Sequence, residues 1–309
     1  MKKYFITSDI HGYFDIFYNK LIEVGFDEQN PDHILVICGD IFDRGDQPLE
    51  IYNFLKGLPR ERRVLIRGNH EFLLQKLVDR GYALSHDLHN RTYDTLFSIA
   101  GMSRPEEEFK KWAGMPRQMS EYDEWVQKQQ EKWQKIEHKI FHNRKIKEIL
   151  KWMASDEWVN YYRIGNYVLV HAFVPLKTEF DPDQGFNGFK IDPDWDNLMV
   201  PSQAKNALHD LYWERATWEN PWKCYLDHKD EPFFKQNILI CGHWHASDFW
   251  NNLEFGENDQ KFDTYIHNPI YISEKNPGII ALDACTAATK GVNFLIINED
   301  LTYEVHNHF

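Results

Sequence analysis

A layered α/β fold is the prediction of this sequence, and two observations carry it. Short apolar runs alternate with stretches of helical periodicity: KYFITSD then DIFYNKLIEVGF, HILVICGD then QPLEIYNFLKGL, RRVLIRGN then EFLLQKLVDRG. Each apolar run passes at once into a polar cluster, SDIHG, GDIFDRG or GNHE. In open α/β sheets such strand ends are where ligands bind.

The rest of the chain fills in around that frame. Residues 85–157 are rich in Trp, Glu and Lys and carry no strand pattern, so they read as a helical insertion within a single domain spanning 1–309, packed over or beside the core and expected to form a cap near the edge where the strand-end loops converge. Within it Tyr122, Trp125, Val126, Trp133, Ile136, Ile140 and Ile149 approximate one apolar stripe, and Ser120 suits a helix start. Strands resume at NYVLVHAF. Residues 173–235 read as loop-rich, NILICGHWH as a strand ending in histidines, and GIIALDAC, VNFLIIN and LTYEVHN as closing strands.

Composition narrows the class. The 309 residues are 42% hydrophobic and 27% charged, the balance of an ordinary globular protein. A net charge of −13 disfavours a broad nucleic-acid footprint, so no nucleic-acid partner is expected. The N-terminal MKKYFITSD reaches an aspartate too early for a signal peptide, and no apolar run is long enough to span a bilayer. A cytoplasmic protein with no membrane partner is expected. Cys38, Cys224, Cys241 and Cys285 show no paired spacing and read as buried, reduced thiols.

The polar strand ends form a set: Asp9 and His11, Asp40, Asn69 and His70, His171, His243 and His245. Carboxylate and imidazole are donors that Zn²⁺, Mn²⁺ and Fe²⁺ accept, and thiolate is missing from the set. Taken singly, DxH is usually a turn and His171 in VLVHA a satisfied core histidine. The shared position at strand ends is what makes the set specific. Two histidines one residue apart in GHWH could each face a different ion of a close pair.

In that order SDIHG, GDIFDRG, RGNHE, VHA and GHWH resemble the calcineurin-like metallophosphoesterases. GDIFDRG with RGNHE is most similar to the phosphoprotein phosphatase branch, with its bacterial and bacteriophage members and the symmetrical diadenosine tetraphosphatases. GHWH departs from the GH-plus-Thr of typical protein phosphatases, and ALDACTAATKG is similar to the aspartate–cysteine strand of the tetraphosphatases without the glycines that usually follow it. The resemblance implies a central β-sandwich of mixed strands flanked by helices. It also implies two divalent ions, Mn²⁺ first with Fe or Zn²⁺ as alternatives: one held by Asp9, His11, Asp40 and His245, the other by Asp40, Asn69, His171 and His243.

By the same resemblance His70 donates a proton to the leaving alkoxide, Asp43 orients His70, and Arg44 and Arg215 grip phosphate oxygens. Arg67 and Glu71 are structural partners. The implied reaction is hydrolysis of a phosphate monoester by direct attack of a metal-bound hydroxide, in a serine/threonine protein phosphatase-like enzyme acting on a phosphorylated substrate. Two other readings are kept: a dinucleoside polyphosphate hydrolase with Trp112, Trp125 or Trp133 stacking on a base, and a non-catalytic metal-bound scaffold.

Overall fold

The computed structural model describes residues 1–104, 122–181, 185–196, 207–256 and 261–308. Trp112 and Ser120 lie outside the described residues, as do the side chains of Tyr122, Trp125 and Val126. In chain order the strands are β1 Lys3–Thr7, β2 His33–Cys38, β3 Arg63–Ile66, β4 Trp158–Val159, β5 Tyr162–Ile164, β6 Tyr167–Leu169, β7 Leu176–Asp181, β8 Gly185–Ile191, β9 Ile238–Cys241, β10 Ile279–Ala281, β11 Phe294–Asn298 and β12 Tyr303–His306. Six make one sheet in the order β12-β11-β1-β2-β3-β4, and four make a second in the order β10-β9-β6-β5.

Strand periodicity builds the sandwich. In β2, Ile34, Val36 and Cys38 point to one face and meet Leu169, Ile240 and Ile280 of the second sheet. Leu35 and Ile37 point the other way, into a layer of helices. A strand buried on both faces has no polar side to show, which is why it reads as one apolar run. The outer face of the second sheet, Val168, Leu239, Cys241 and Ile279, is covered by Trp213, Tyr225 and Phe249. The fold is thus mixed α/β, two mixed sheets face to face with helices on both sides.

Strand direction then places the site. β1, β2 and β3 run parallel to one another, and β6, β9 and β10 do likewise. Their C-terminal ends therefore deliver loops to a common edge.

The helices over the first sheet are α1 Phe14–Glu23, α2 Pro48–Gly57, α3 Asn69–Arg80, α4 Ser85–His89, α5 Thr92–Ile99, α6 Tyr122–Phe141 and α7 Arg144–Met153. Asn143 separates the last two, its side chain accepting from the backbone of Lys145 and Ile146 as an N-cap. Tyr93, Leu96, Phe97, Ile140, Ile146, Ile149 and Trp152 are buried in the same cluster as Phe17, Leu55 and Leu77. The described parts of residues 85–157 thus share the helical core of the first sheet.

Residues 173–235 differ from the loop-rich expectation. They hold the β7–β8 hairpin and the helices α8 Ala207–Ala216, α9 Pro221–His228 and α10 Pro232–Gln236. Gly, Asn and Asp dilute the apolar pattern in QGFNGFKID, and Phe186 and Phe189 stay exposed, so this hairpin lacks the apolar run that marks a buried strand. Four free, buried cysteines match the expectation. Among the described residues no helix is long and apolar enough to cross a membrane.

Candidate metal centre

The loops leaving β1 and β2 are zipped together by backbone hydrogen bonds: Asp9 N–H to Gly39 O, His11 N–H to Asp40 O, Gly12 N–H to Ile41 O and Gly45 N–H to His11 O, at 2.7 to 3.1 Å. These contacts hold an unusual backbone. Of ten non-glycine residues with positive φ among the described residues, six are Asp9, His11, Asp40, Asp43, Arg44 and His243. Each such residue costs on the order of 1 kcal/mol or more. Strain concentrated on these side chains aims them where relaxed backbone would not.

Their donor atoms converge on Asp40. His11 Nδ1 lies 3.1 Å from the Phe42 carbonyl oxygen, and His171 Nδ1 lies 2.9 Å from that of Cys38. A carbonyl only accepts, so both Nδ1 atoms carry a hydrogen and Nε2 is the ring atom each histidine turns toward the cluster. His11 Nε2 faces Asp9 Oδ1 at 4.0 Å and Asp40 Oδ2 at 3.9 Å. His171 Nε2 faces Asp40 Oδ1 at 3.4 Å and Asn69 Oδ1 at 2.9 Å.

Donor atoms of His11, Asp40 and His70 lie within 4.8 Å of each other, as do those of Asp40, His171 and His243. Burial pushes the pKa of His11 well below its ordinary value and that of His243 down to about 3, so both rings stay neutral. Burial also raises Asp9 well above the usual carboxylate range, with repulsion from Asp283 and Asp40 adding to it. Nitrogen and oxygen donors 3.4 to 4.0 Å apart around buried carboxylates suit cations bonded at about 2 Å to each. The residues fit divalent metal, with Asp40 common to both donor groups and His70 a member of the first. Cys38 and Cys241 are no competitors, because burial drives both thiol pKa values up and keeps them protonated.

His245 stands apart from those two groups. Its Nδ1 lies 3.6 Å from Asp248 and its Nε2 3.9 Å from Asp283. Burial works against its charge, yet Asp283 and Asp248 raise its pKa to about 11. Asp283 is a residue the sequence analysis leaves without a role. It is buried, accepts the Cys285 N–H at 2.7 Å, and repels Asp9. The signal was available: an aspartate directly after the apolar run GIIAL.

Beside the donors lies a second constellation. His70 Nδ1 is 2.6 Å from Asp43 Oδ2, and Arg44 Nη2 is 3.5 Å from His70 Nε2. Glu71 accepts the backbone N–H groups of Asp40, Ile41 and Gly68 at 2.7 to 3.0 Å, pinning the β2 and β3 loops to each other. Arg67 reaches the carbonyls of Met153 and Ser155. Arg215, on α8, is more than half exposed, paired with Glu219 and stacked over Phe189.

Glycines mark where the loops touch. A Cβ on Gly242 would fall on Asp9 Oδ2 and Ser8 Oγ, and one on Gly68 would fall on Asp40 Oδ1. Gly242→Ala should therefore destabilise the fold by about 1–3 kcal/mol in denaturant unfolding. It should also weaken metal uptake, because Asp9 must move; an unchanged unfolding midpoint would refute the close approach.

The sequence profile of the calcineurin-like phosphoesterase family matches residues 2–247, which end just beyond GHWH. The chain belongs to this family of phosphoester hydrolases. Symmetrical bis(5'-nucleosyl)-tetraphosphatases of Nitrosococcus oceani and Colwellia psychrerythraea are 35% identical over 104 residues and 34% identical over 70. Those matches cover 34% and 23% of this metallophosphoesterase chain, and only 34% and 24% of the relatives' own lengths. Among solved structures it is similar to a cold-active protein-tyrosine phosphatase of a Shewanella species, at 16% identity and TM-score 0.48 over 99% of this chain and 80% of that one. A protein serine/threonine phosphatase from Saccharomyces cerevisiae is similar at 14% identity and TM-score 0.45, over 100% and 80%.

Proposed function

We propose that this metallophosphoesterase hydrolyses phosphate monoesters of alkyl alcohols, with phosphoserine and phosphothreonine in proteins as its substrate class. The His70–Asp43 pair beside the Asp40 cluster carries the reading. An alkoxide leaving phosphorus needs a proton, whereas a nucleotide phosphate leaves as a stable anion. An aligned imidazole acid therefore contributes most to hydrolysis of an alkyl ester.

Two divalent ions would supply Lewis-acid polarisation of the phosphoryl oxygens and of water. Asp9, His11, Asp40 and His245 would hold one, and Asp40, Asn69, His171 and His243 the other. Mn²⁺ is proposed first, with Fe or Zn²⁺ as alternatives, as the resemblance to the phosphoprotein phosphatase branch implies. Arg44, next to His70, binds the phosphoryl oxygens through its planar fork; Arg215, which rests on Glu219 and Phe189, is the second arginine assigned to them. His70 gives its Nε2 proton to the departing oxygen while Asp43 holds Nδ1. We further propose one domain over 1–309, with 85–157 as an insertion that shares its core.

A second reading, hydrolysis of a dinucleoside polyphosphate, is favoured by the names of the two curated relatives. Trp133 gives it no support, since that ring packs against Tyr93 and Phe97. Trp218 is the better platform, half-exposed and edge-on to His243 at 6.4 Å. The test is kcat/KM on a phosphoserine peptide and on diadenosine tetraphosphate in one Mn²⁺ buffer. Faster turnover of the peptide, abolished by chelator, is expected. A dinucleotide preference above about tenfold, roughly 1.4 kcal/mol of barrier, would put the second reading first. Turnover of neither would leave a metal-bound scaffold.

A further inference from the structure

We propose that Thr92 and Thr95, in the helical segment outside the motif string, are positioning residues that hold Asp43 and through it the proton donor His70. The inference rests on the reading of His70 as the acid. Asp43 is fully buried and its carboxylate meets three donors. Oδ2 accepts from His70 Nδ1 at 2.6 Å and from Thr92 Oγ1 at 2.7 Å. Oδ1 accepts from Thr95 Oγ1 at 2.8 Å.

The three bonds fix the plane of the carboxylate. An aspartate bonded to His70 alone could turn about its terminal torsion, which is broad and soft, and the imidazole would turn with it. Two hydroxyls pulling on both oxygens remove that freedom. Thr92 and Thr95 lie three residues apart on α5, so both project from one helical face. Their β-branched side chains allow few χ1 states, which makes them stiffer anchors than serine.

The usual use of a helical threonine hydroxyl does not account for these contacts. Thr95 Oγ1 is 3.4 Å from the Arg91 carbonyl oxygen, the helix back-bond, but 2.8 Å from Asp43. Both threonines are fully buried, so water has no access to replace them. The helix that carries them is fixed by Tyr93, Leu96, Phe97 and Ile99 in the core. A segment lying 49 and 52 residues from Asp43 in sequence thus completes the proton-donating unit.

The test separates positioning from general damage by the leaving group. Thr92→Val/Thr95→Val, Thr95→Val alone and His70→Ala are compared with the wild type on a phosphoserine peptide and on 2,4-dinitrophenyl phosphate, whose leaving group needs no proton. Bound metal and unfolding midpoint are measured alongside. We expect the double variant to lose about 10- to 100-fold in kcat on the peptide, and at least about tenfold less on the dinitrophenyl ester, with KM and metal content nearly constant. Thr→Ser at both positions should restore most of the loss.

Should the double variant fail to fold, Thr95→Val, which strips Oδ1 of its threonine donor, is read in the same way with a smaller loss. Equal losses on both substrates, or no rescue by serine, would overturn the proposal. If His70→Ala shows the leaving-group selectivity and the valine variants do not, the positioning role falls and the reading of His70 stands. If His70→Ala also shows none, the acid reading itself falls, and this proposal with it.

Discussion

Asp40→Asn should abolish turnover, lowering kcat/KM by at least about 10³-fold, and should leave less than one tightly bound ion per chain. Asp40 is the only side chain common to both donor groups, facing His171 through Oδ1 and His11 through Oδ2. Asparagine keeps an acceptor for the His70 backbone N–H, bonded to Asp40 Oδ1 at 3.0 Å, so the loop should persist while the shared charge is lost. The readouts are metal stoichiometry after dialysis and steady-state kinetics with added Mn²⁺. A variant retaining two ions per chain and wild-type turnover would remove Asp40 from the centre.

What made Asp40 legible in sequence was its place after HILVIC. Parallel strands buried on both faces read as apolar runs, and a polar residue straight after such a run has to sit at the sheet edge. Asp9, Asn69, His171 and His243 were found by the same logic. Asp283 obeys it too, but the stretch that follows it, ACTAATKG, carries neither a histidine nor the DRG string found after Asp40. The β7–β8 hairpin escaped because Phe186 and Phe189 are exposed and no continuous apolar run marks its strands. Thr92 and Thr95 escaped for another reason: in TYDTLFS they look like ordinary helix residues, and only tertiary contact with Asp43 gives them a role.

Backbone strain was half legible. Asp and His are among the residues that best tolerate positive φ, so their recurrence in SDIH, GD and GHWH is compatible with left-handed turns as well as with metal binding. Arg44 has no such tolerance, and its φ of +60° is enforced by the loop lattice around Gly12 and Gly45. That enforcement sets the Arg44 guanidinium beside His70 Nε2, where a phosphoryl oxygen and a leaving oxygen would lie side by side.

His70→Ala is expected to lower kcat on a phosphoserine peptide by about 10²- to 10⁴-fold, the usual contribution of a positioned general acid. Asp43→Asn tests the same group through pH. Burial works to lower the His70 pKa, but Asp40 and the hydrogen bond and charge of Asp43 raise it above the ordinary histidine value. The imidazolium therefore persists further into alkaline solution than a free histidine would, and turnover of an alkyl ester should fall as pH rises through that raised value. Removing the Asp43 charge withdraws part of the support, so the alkaline limb of the kcat profile should move to lower pH. Stability follows the same sign: the imidazolium–Asp43 pair contributes fully below the unfolded-state pKa, and its contribution is lost as pH rises through the folded-state value. A limb that stays put in Asp43→Asn, with kcat reduced evenly at every pH, would assign the alkaline limb to another group and leave Asp43 a purely structural role.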